Sequence, residues 1–147
     1  MPLGRTIPAL PVASVAAAVT TYVERLGFEV AHLDPEGFAV VVRDAAEIHL
    51  WQAGDDGWRL RPAGELADRP VCTGAEDFLA GTASCRISCG DSAEVDALHA
   101  ELAAAGVLHP TDPGHAVDTD HGTREVNALD LDGNLLTFYR PPLTDAV

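Results

Sequence analysis

The sequence contains no lysine. Its nine basic residues are all arginine, they face 23 aspartates and glutamates, and the formal net charge of the 147-residue chain is −14. So few cations cannot neutralise a phosphate backbone, which argues against nucleic-acid binding and against an anionic membrane surface. Such a chain concentrates cations instead. Long apolar runs are missing too: although 47% of the residues are apolar, no stretch approaches the roughly 18 needed to span a membrane. The opening "MPLGRTIPALPV" has no basic segment followed by an unbroken apolar stretch, so no secretory signal and a cytoplasmic location are expected. Cysteine is scarce and odd in number: Cys72, Cys85 and Cys89. Cys85 and Cys89 lie four residues apart in an expected strand, about 13 Å, too far for a disulfide within it. A lone C-x3-C without a second pair does not make a zinc site, so reduced thiols are expected.

What the chain does have is an internal near-repeat. "PVASVAAAVTTYVERLGFEV" (Pro11–Val30) reads as strand end, helix, glycine stop and strand. Ser14 is a good N-cap, and Val15, Val19, Tyr22, Val23 and Leu26 share an apolar face. "SCGDSAEVDALHAELAAAGVLH" (Ser88–His109) repeats the plan, with a capping box from Asp91 and Glu94 and a stripe of Val95, Leu98 and Leu102. Overlaid, Val19 meets Leu98, Val23 meets Leu102 and Gly27 meets Gly106. "FEVAHLD", "GFAVVVRD" and "AEIHLWQ" follow as strands in the first half. "VLHP", "TREVNALD" and "NLLTFYR" take their places in the second, with a polar loop Pro110–Gly122 inserted and "EIHLW" overlaid on "NLLTF". Each half is then strand–helix–strand–strand–strand, and one such unit leaves a sheet face uncovered, so two must combine. In "ALDLDGNLL" the Asp and Asn side chains bond the local backbone, and Gly133 supplies the positive φ of a tight turn.

That paired βαβββ plan resembles the vicinal oxygen chelate superfamily, which includes glyoxalase I, extradiol dioxygenases and bleomycin-resistance proteins. "YVERLGFEV", "EIHLWQ", "GAEDFLAGTASCRI" and "GTREVNALDLDGNLLTF" are similar to the bleomycin-resistance branch in particular. The resemblance implies one α+β domain over residues 1–147, with curved sheets built from repeat 1 (about 5–52), a linker (about 53–80) and repeat 2 (about 81–141). It also implies a homodimer that exchanges its N-terminal strands, for which Pro8 and Pro11 would stiffen the hinge. Metal-dependent members carry His or Glu ligands on the first and last strands of each half. Spacing carries those positions to Ile7, Leu50, Arg86 and Thr137, which cannot form a His/carboxylate cage. His49 adjoins Leu50, but one step along a strand reverses the face. No metal or other cofactor is expected, and enzymatic chemistry that needs a Lewis acid is not expected either. No other catalytic set stands out: Ser84 and Ser88 lack a G-x-S-x-G setting, and the six histidines lack an H-E-x-x-H pairing.

By the same resemblance, function is sequestration of a bleomycin-family glycopeptide, metal-free or copper-bound, without chemical modification. Such a drug offers a flat bithiazole, a cationic tail and a polar metal-chelating part. Aromatic faces suit the first and carboxylates the second. Phe38, Trp51 and Trp58 are the candidate faces, scarce in a chain with 5% aromatics. His121 stands where the family often has Trp, before Gly122 and Arg124. Asp34, Asp55, Asp56 and Asp120 are the candidate partners of the tail. The competing readings are a metal-dependent lyase, dioxygenase or thiol transferase with relocated ligands, and a binder of another planar cationic antibiotic.

Overall fold

The computed structural model describes residues 1–54 and 78–143. Trp58, Asp55, Asp56, Cys72 and most of the expected linker lie outside the described residues. In the first half, β1 (Ala9–Val12) leads to α1 (Val15–Glu24), β2 (Glu29–Asp34), β3 (Phe38–Arg43) and β4 (Ala46–Gln52). The second half repeats the order with β5 (Ser84–Ser88), α2 (Ser92–Ala105), β6 (Val117–Asp118), β7 (Arg124–Leu129) and β8 (Leu135–Arg140). Each half is a four-stranded sheet: sheet A in the order β1-β4-β3-β2 and sheet B in the order β5-β8-β7-β6. The first pair of each is parallel and the others are antiparallel.

Local chemistry explains the helices. The Ser14 side chain accepts from the Ala17 N–H, and Asp91 and Glu94 form the reciprocal capping box. Gly106, at φ 73°, ends α2 in the left-handed conformation that glycine adopts without strain. The α1 stripe runs through Val15, Ala18, Val19 and Tyr22 to Leu26; Val23, expected on it, is 41% exposed. In the second half "VLHP" does not form a strand. Leu108 makes an isolated bridge to Ala128, and Pro110, lacking an N–H, cannot extend it. The strand that pairs with β7 is Val117–Asp118, inside the expected loop.

The helices cover one face of each sheet, and the buried residues of both halves form one core. The halves are sewn together at the β7–β8 turn. Buried Asp130 accepts from the Tyr22 hydroxyl (3.0 Å), from Asn134 Nδ2 (2.9 Å) and from the backbone N–H groups of Asp132 and Asn134. Asn134 Nδ2 also donates to the Pro11 carbonyl, and Asp132 accepts from the Ala13 N–H. Burial, reinforced by the Asp130 charge, pushes the Tyr22 phenol well up, so it remains a donor. Pro11 lies within β1, at a sheet edge where its missing N–H costs no ladder bond. Its carbonyl also accepts from Gly81. At Gly81 φ is 77°, and a Cβ would collide with the Asp132 carbonyl. Gly81→Ala is expected to lower unfolding free energy by about 2–3 kcal/mol in urea titration. An unchanged midpoint would contradict this packing of the two halves.

Candidate functional site

Opposite its helix, each sheet presents an open face. On sheet A, alternation buries Ala39, Val41, Ile48 and Leu50 and turns Phe38, Val40, Glu47, His49 and Trp51 outward, half-buried. The ladder sets Asp34 opposite Phe38 and Phe38 opposite Trp51, so three expected residues form one cross-strand row. Phe38 is the hub of an aromatic cluster. Its ring centroid lies 4.5 Å from Trp51, 5.1 Å from His49 at 83°, and 5.7 Å from His32. These are the offset and edge-to-face separations that aromatic pairs favour, so the plate is assembled before any ligand arrives. Exposed Asp34 stands at its end; Glu47, paired with Arg5 and His49, lies two rows from Trp51, beyond His49.

On sheet B the same positions are polar. Val126, Ala128, Leu136 and Phe138 are buried toward α2, leaving Glu125, Asn127 and Tyr139 on the open side with Arg86. Arg86 Nη2 donates to Glu125 Oε1 at 2.6 Å, and its Cζ lies 4.5 Å from the Tyr139 ring centroid. Thr137 donates to Asn127. Burial pushes the Glu125 carboxyl up, but hydrogen bonds from Arg86 and Thr123 outweigh it and hold it below its ordinary value. His121 is exposed in the turn before β7, with Asp120 and Gly122 exposed beside it. Gly122, at φ 84°, closes the turn by donating to the Thr119 carbonyl.

Several expectations change. Arg124 does not join the open face: Asp96 on α2 (2.7 Å) and Asp118 (3.0 Å) draw it to the helix side. Leu50 is not a groove position, because it is fully buried under α1; His49 occupies the face that Thr137 occupies in the second half. The β1–β4 register sets Ala9, not Ile7, opposite His49, as Arg86 is opposite Thr137. Of those four positions only His49 is a metal-ligating type. Among the described residues, no three or more His, Cys, Asp or Glu side chains are gathered closely enough to hold a metal ion. Cys85 is a buried thiol and Cys89 a half-buried one, both unpaired. Phe38 and Trp51 belong to sheet A and His121 to sheet B, and no strand of one sheet packs extensively on a strand of the other.

Two hollows flank these faces. A cavity of about 730 Å³ lies between the N-terminal segment, the β3–β4 turn and α2, floored by Phe28, Ile48, Ile87, Leu98 and Phe138. A smaller one, about 210 Å³, lies on sheet B under the loop that carries His109, Thr111 and Thr119. That loop is pinned by His99 Nε2 to Asp112 Oδ2 at 2.9 Å. Burial pushes the Asp112 carboxyl up, but the bonds from His99 and the Gly114 N–H outweigh it and leave its pKa lowered. A lowered folded pKa stabilises above the unfolded value of about 3.9 and is lost as pH falls through the folded value. Asp112→Ala is therefore expected to lower Tm at about pH 7, with the gap closing below about pH 4. A gap as wide in acid as at neutrality would show that Asp112 acts otherwise.

Solved structures place this architecture. A lactoylglutathione lyase of Agrobacterium tumefaciens superposes with TM-score 0.69 at 19% identity, over 95% of this chain and 94% of that one. A bleomycin-binding protein of bleomycin-producing Streptomyces verticillus, complexed with copper(II)-bleomycin, superposes with TM-score 0.66 at 23% identity, over 98% and 99%. The two helix-backed sheets thus define a member of the glyoxalase and bleomycin-resistance fold class. No family model matches the chain. Bleomycin resistance proteins of Geobacillus stearothermophilus and Staphylococcus aureus are 40% identical over 136 residues, 92% of this chain and 96% of theirs. The chain belongs to the bleomycin resistance protein family.

Proposed function

We propose that the protein binds a bleomycin-family glycopeptide and withholds it from its target without altering it, conferring resistance by sequestration. The observation that carries this reading is the row Asp34–Phe38–Trp51: a preassembled aromatic plate ending in a carboxylate, matched to a flat bithiazole that leads to a cationic tail. The net charge of −14 adds long-range attraction for a cation. A plate covers only one side of a ring. The second side needs another surface, and among the described residues no strand of sheet A packs extensively on a strand of sheet B. A homodimer that sets sheet A of one protomer against sheet B of its partner supplies it, with His121 and Tyr139 on the facing wall and two grooves per dimer. Exchange of β1 between protomers keeps the same parallel register on β4. A cytoplasmic location belongs to the same reading.

Protection at nanomolar drug needs about −12 kcal/mol of binding free energy. Bleomycin, metal-free and copper-bound, is expected to raise the melting temperature, since ligand at 100 times its Kd adds about 2.7 kcal/mol. Size-exclusion chromatography with light scattering is expected to give a dimer. Melting unchanged by either drug form at saturating concentration would contradict the proposal.

A further inference from the structure

We propose that Arg86 sets the orientation of the bound glycopeptide, by reading its oxygen-rich part while sheet A takes the flat ring and cationic tail. This assignment rests on the sequestration reading. Three features single Arg86 out. Its side chain is 53% exposed although both ends of its environment are fixed. The guanidinium sits over the Tyr139 ring, its Cζ 4.5 Å from the centroid, and Glu125 holds one of its nitrogens at 2.6 Å. Glu125 is itself steadied by Thr123 Oγ1 at 2.9 Å and has a half-buried place in β7. Among the described residues no other side chain bonds the guanidinium, which leaves N–H donors for a ligand.

Such a guanidinium is a flat, pre-positioned fork whose charge is largely balanced by Glu125. It repels a cationic tail at short range, whereas neutral oxygen acceptors such as amide, carbamoyl and sugar groups accept its hydrogen bonds, and a planar group can lie on its open face. At the register position of Arg86 the first half has Ala9, and the guanidinium nearest that face, Arg5, comes from the segment before β1 and meets Glu47 only at 3.4 Å, 68% exposed. The two open faces are therefore chemically unlike: aromatic and acidic on sheet A, donor-rich on sheet B. A ligand with a flat cationic end and an oxygen-rich end fits between them one way round.

The test titrates the full-length protein with intact metal-free bleomycin and with a bithiazole fragment that bears the cationic tail but no chelating or sugar part. Wild type, Arg86→Ala and Arg86→Lys are compared. The lysine variant keeps a cation beside Glu125 but loses the plane and the fork. Both substitutions are expected to raise Kd for intact drug roughly ten- to a hundredfold, as for loss of a charge-assisted hydrogen bond, and to leave Kd for the fragment within about twofold. Melting temperature is recorded for each, so that the lysine variant serves if the alanine variant fails to fold. Intact drug bound equally tightly by wild type and both variants would overturn the assignment, as would equal losses for drug and fragment. Wild type that binds neither probe would sink the sequestration reading, and this assignment with it.

Discussion

Asp130→Ala is expected to cost about 3–5 kcal/mol of unfolding free energy, a large share of the roughly 5–15 kcal/mol available to a domain of this kind. The magnitude follows from how many donors lose their acceptor together. The Tyr22 hydroxyl, Asn134 Nδ2 and two backbone N–H groups all point at this carboxylate, which is 6% exposed. Each buried donor left without a partner forfeits its own desolvation, about 1–3 kcal/mol. Tyr22→Phe is the calibrating variant. It deletes one hydrogen bond, leaves Asp130 with its other partners, and is expected to cost only about 1 kcal/mol. Urea titration of both variants measures the two costs. Equal costs would mean that Asp130 does not join the halves in the way its contacts imply.

Phe38→Ala is expected to weaken glycopeptide binding by about 2 kcal/mol or more, some thirtyfold, and Trp51→Ala by a comparable amount. Phe38 does two things at once: it offers a face, and through contacts at 4.5–5.7 Å it holds Trp51, His49 and His32 in place. Its removal loosens the whole plate, so the double variant is expected to lose less than the sum of the single losses. Asp34→Asn probes the charge instead and should weaken binding mainly at low ionic strength. Stability should change far less than affinity, because neither ring belongs to the buried core. Isothermal titration checks the affinities and denaturant titration the stabilities. Wild-type affinity in Phe38→Ala would move the binding surface elsewhere.

The helices, their caps and the strand-rich halves were legible because they rest on local signals: Ser14, the Asp91–Glu94 box, and stripes at helical spacing. What misled was strand parity. Overlaying "EIHLW" on "NLLTF" sets Leu50 on Thr137, but the two hairpins differ: β3 and β4 are joined through Asp44, at φ 51°, and Ala45, whereas β7 and β8 are joined through 130–134. One residue of slip exchanges the faces of a strand. The alternation itself held the signal. Ile48 and Leu50 are the buried apolar residues of β4, as Leu136 and Phe138 are of β8, with His49 and Thr137 between them. Phe38, Trp51 and Asp34 were legible as site candidates, and the cross-strand register explains why they share a row. Arg124, expected among the ligand-binding residues, shares the helix-side face of β7 with Val126 and Ala128, and its partner Asp96 lies 28 residues away on α2. Arg86, Glu125 and Tyr139 come from three strands, and nothing local in the sequence marks them as neighbours. Glu125 could have been found from the same alternation, since Val126 and Ala128 beside it are the buried pair.

The most direct test is isothermal titration of purified protein with bleomycin, metal-free and copper-bound, followed by mass spectrometry of the drug recovered from the cell. A tight, saturable transition at one drug per protomer, with every molecule returned at its starting mass, is the outcome expected of a ring plate that holds its guest by stacking and charge. No heat at micromolar concentration, or recovery of a cleaved or substituted drug, would contradict it.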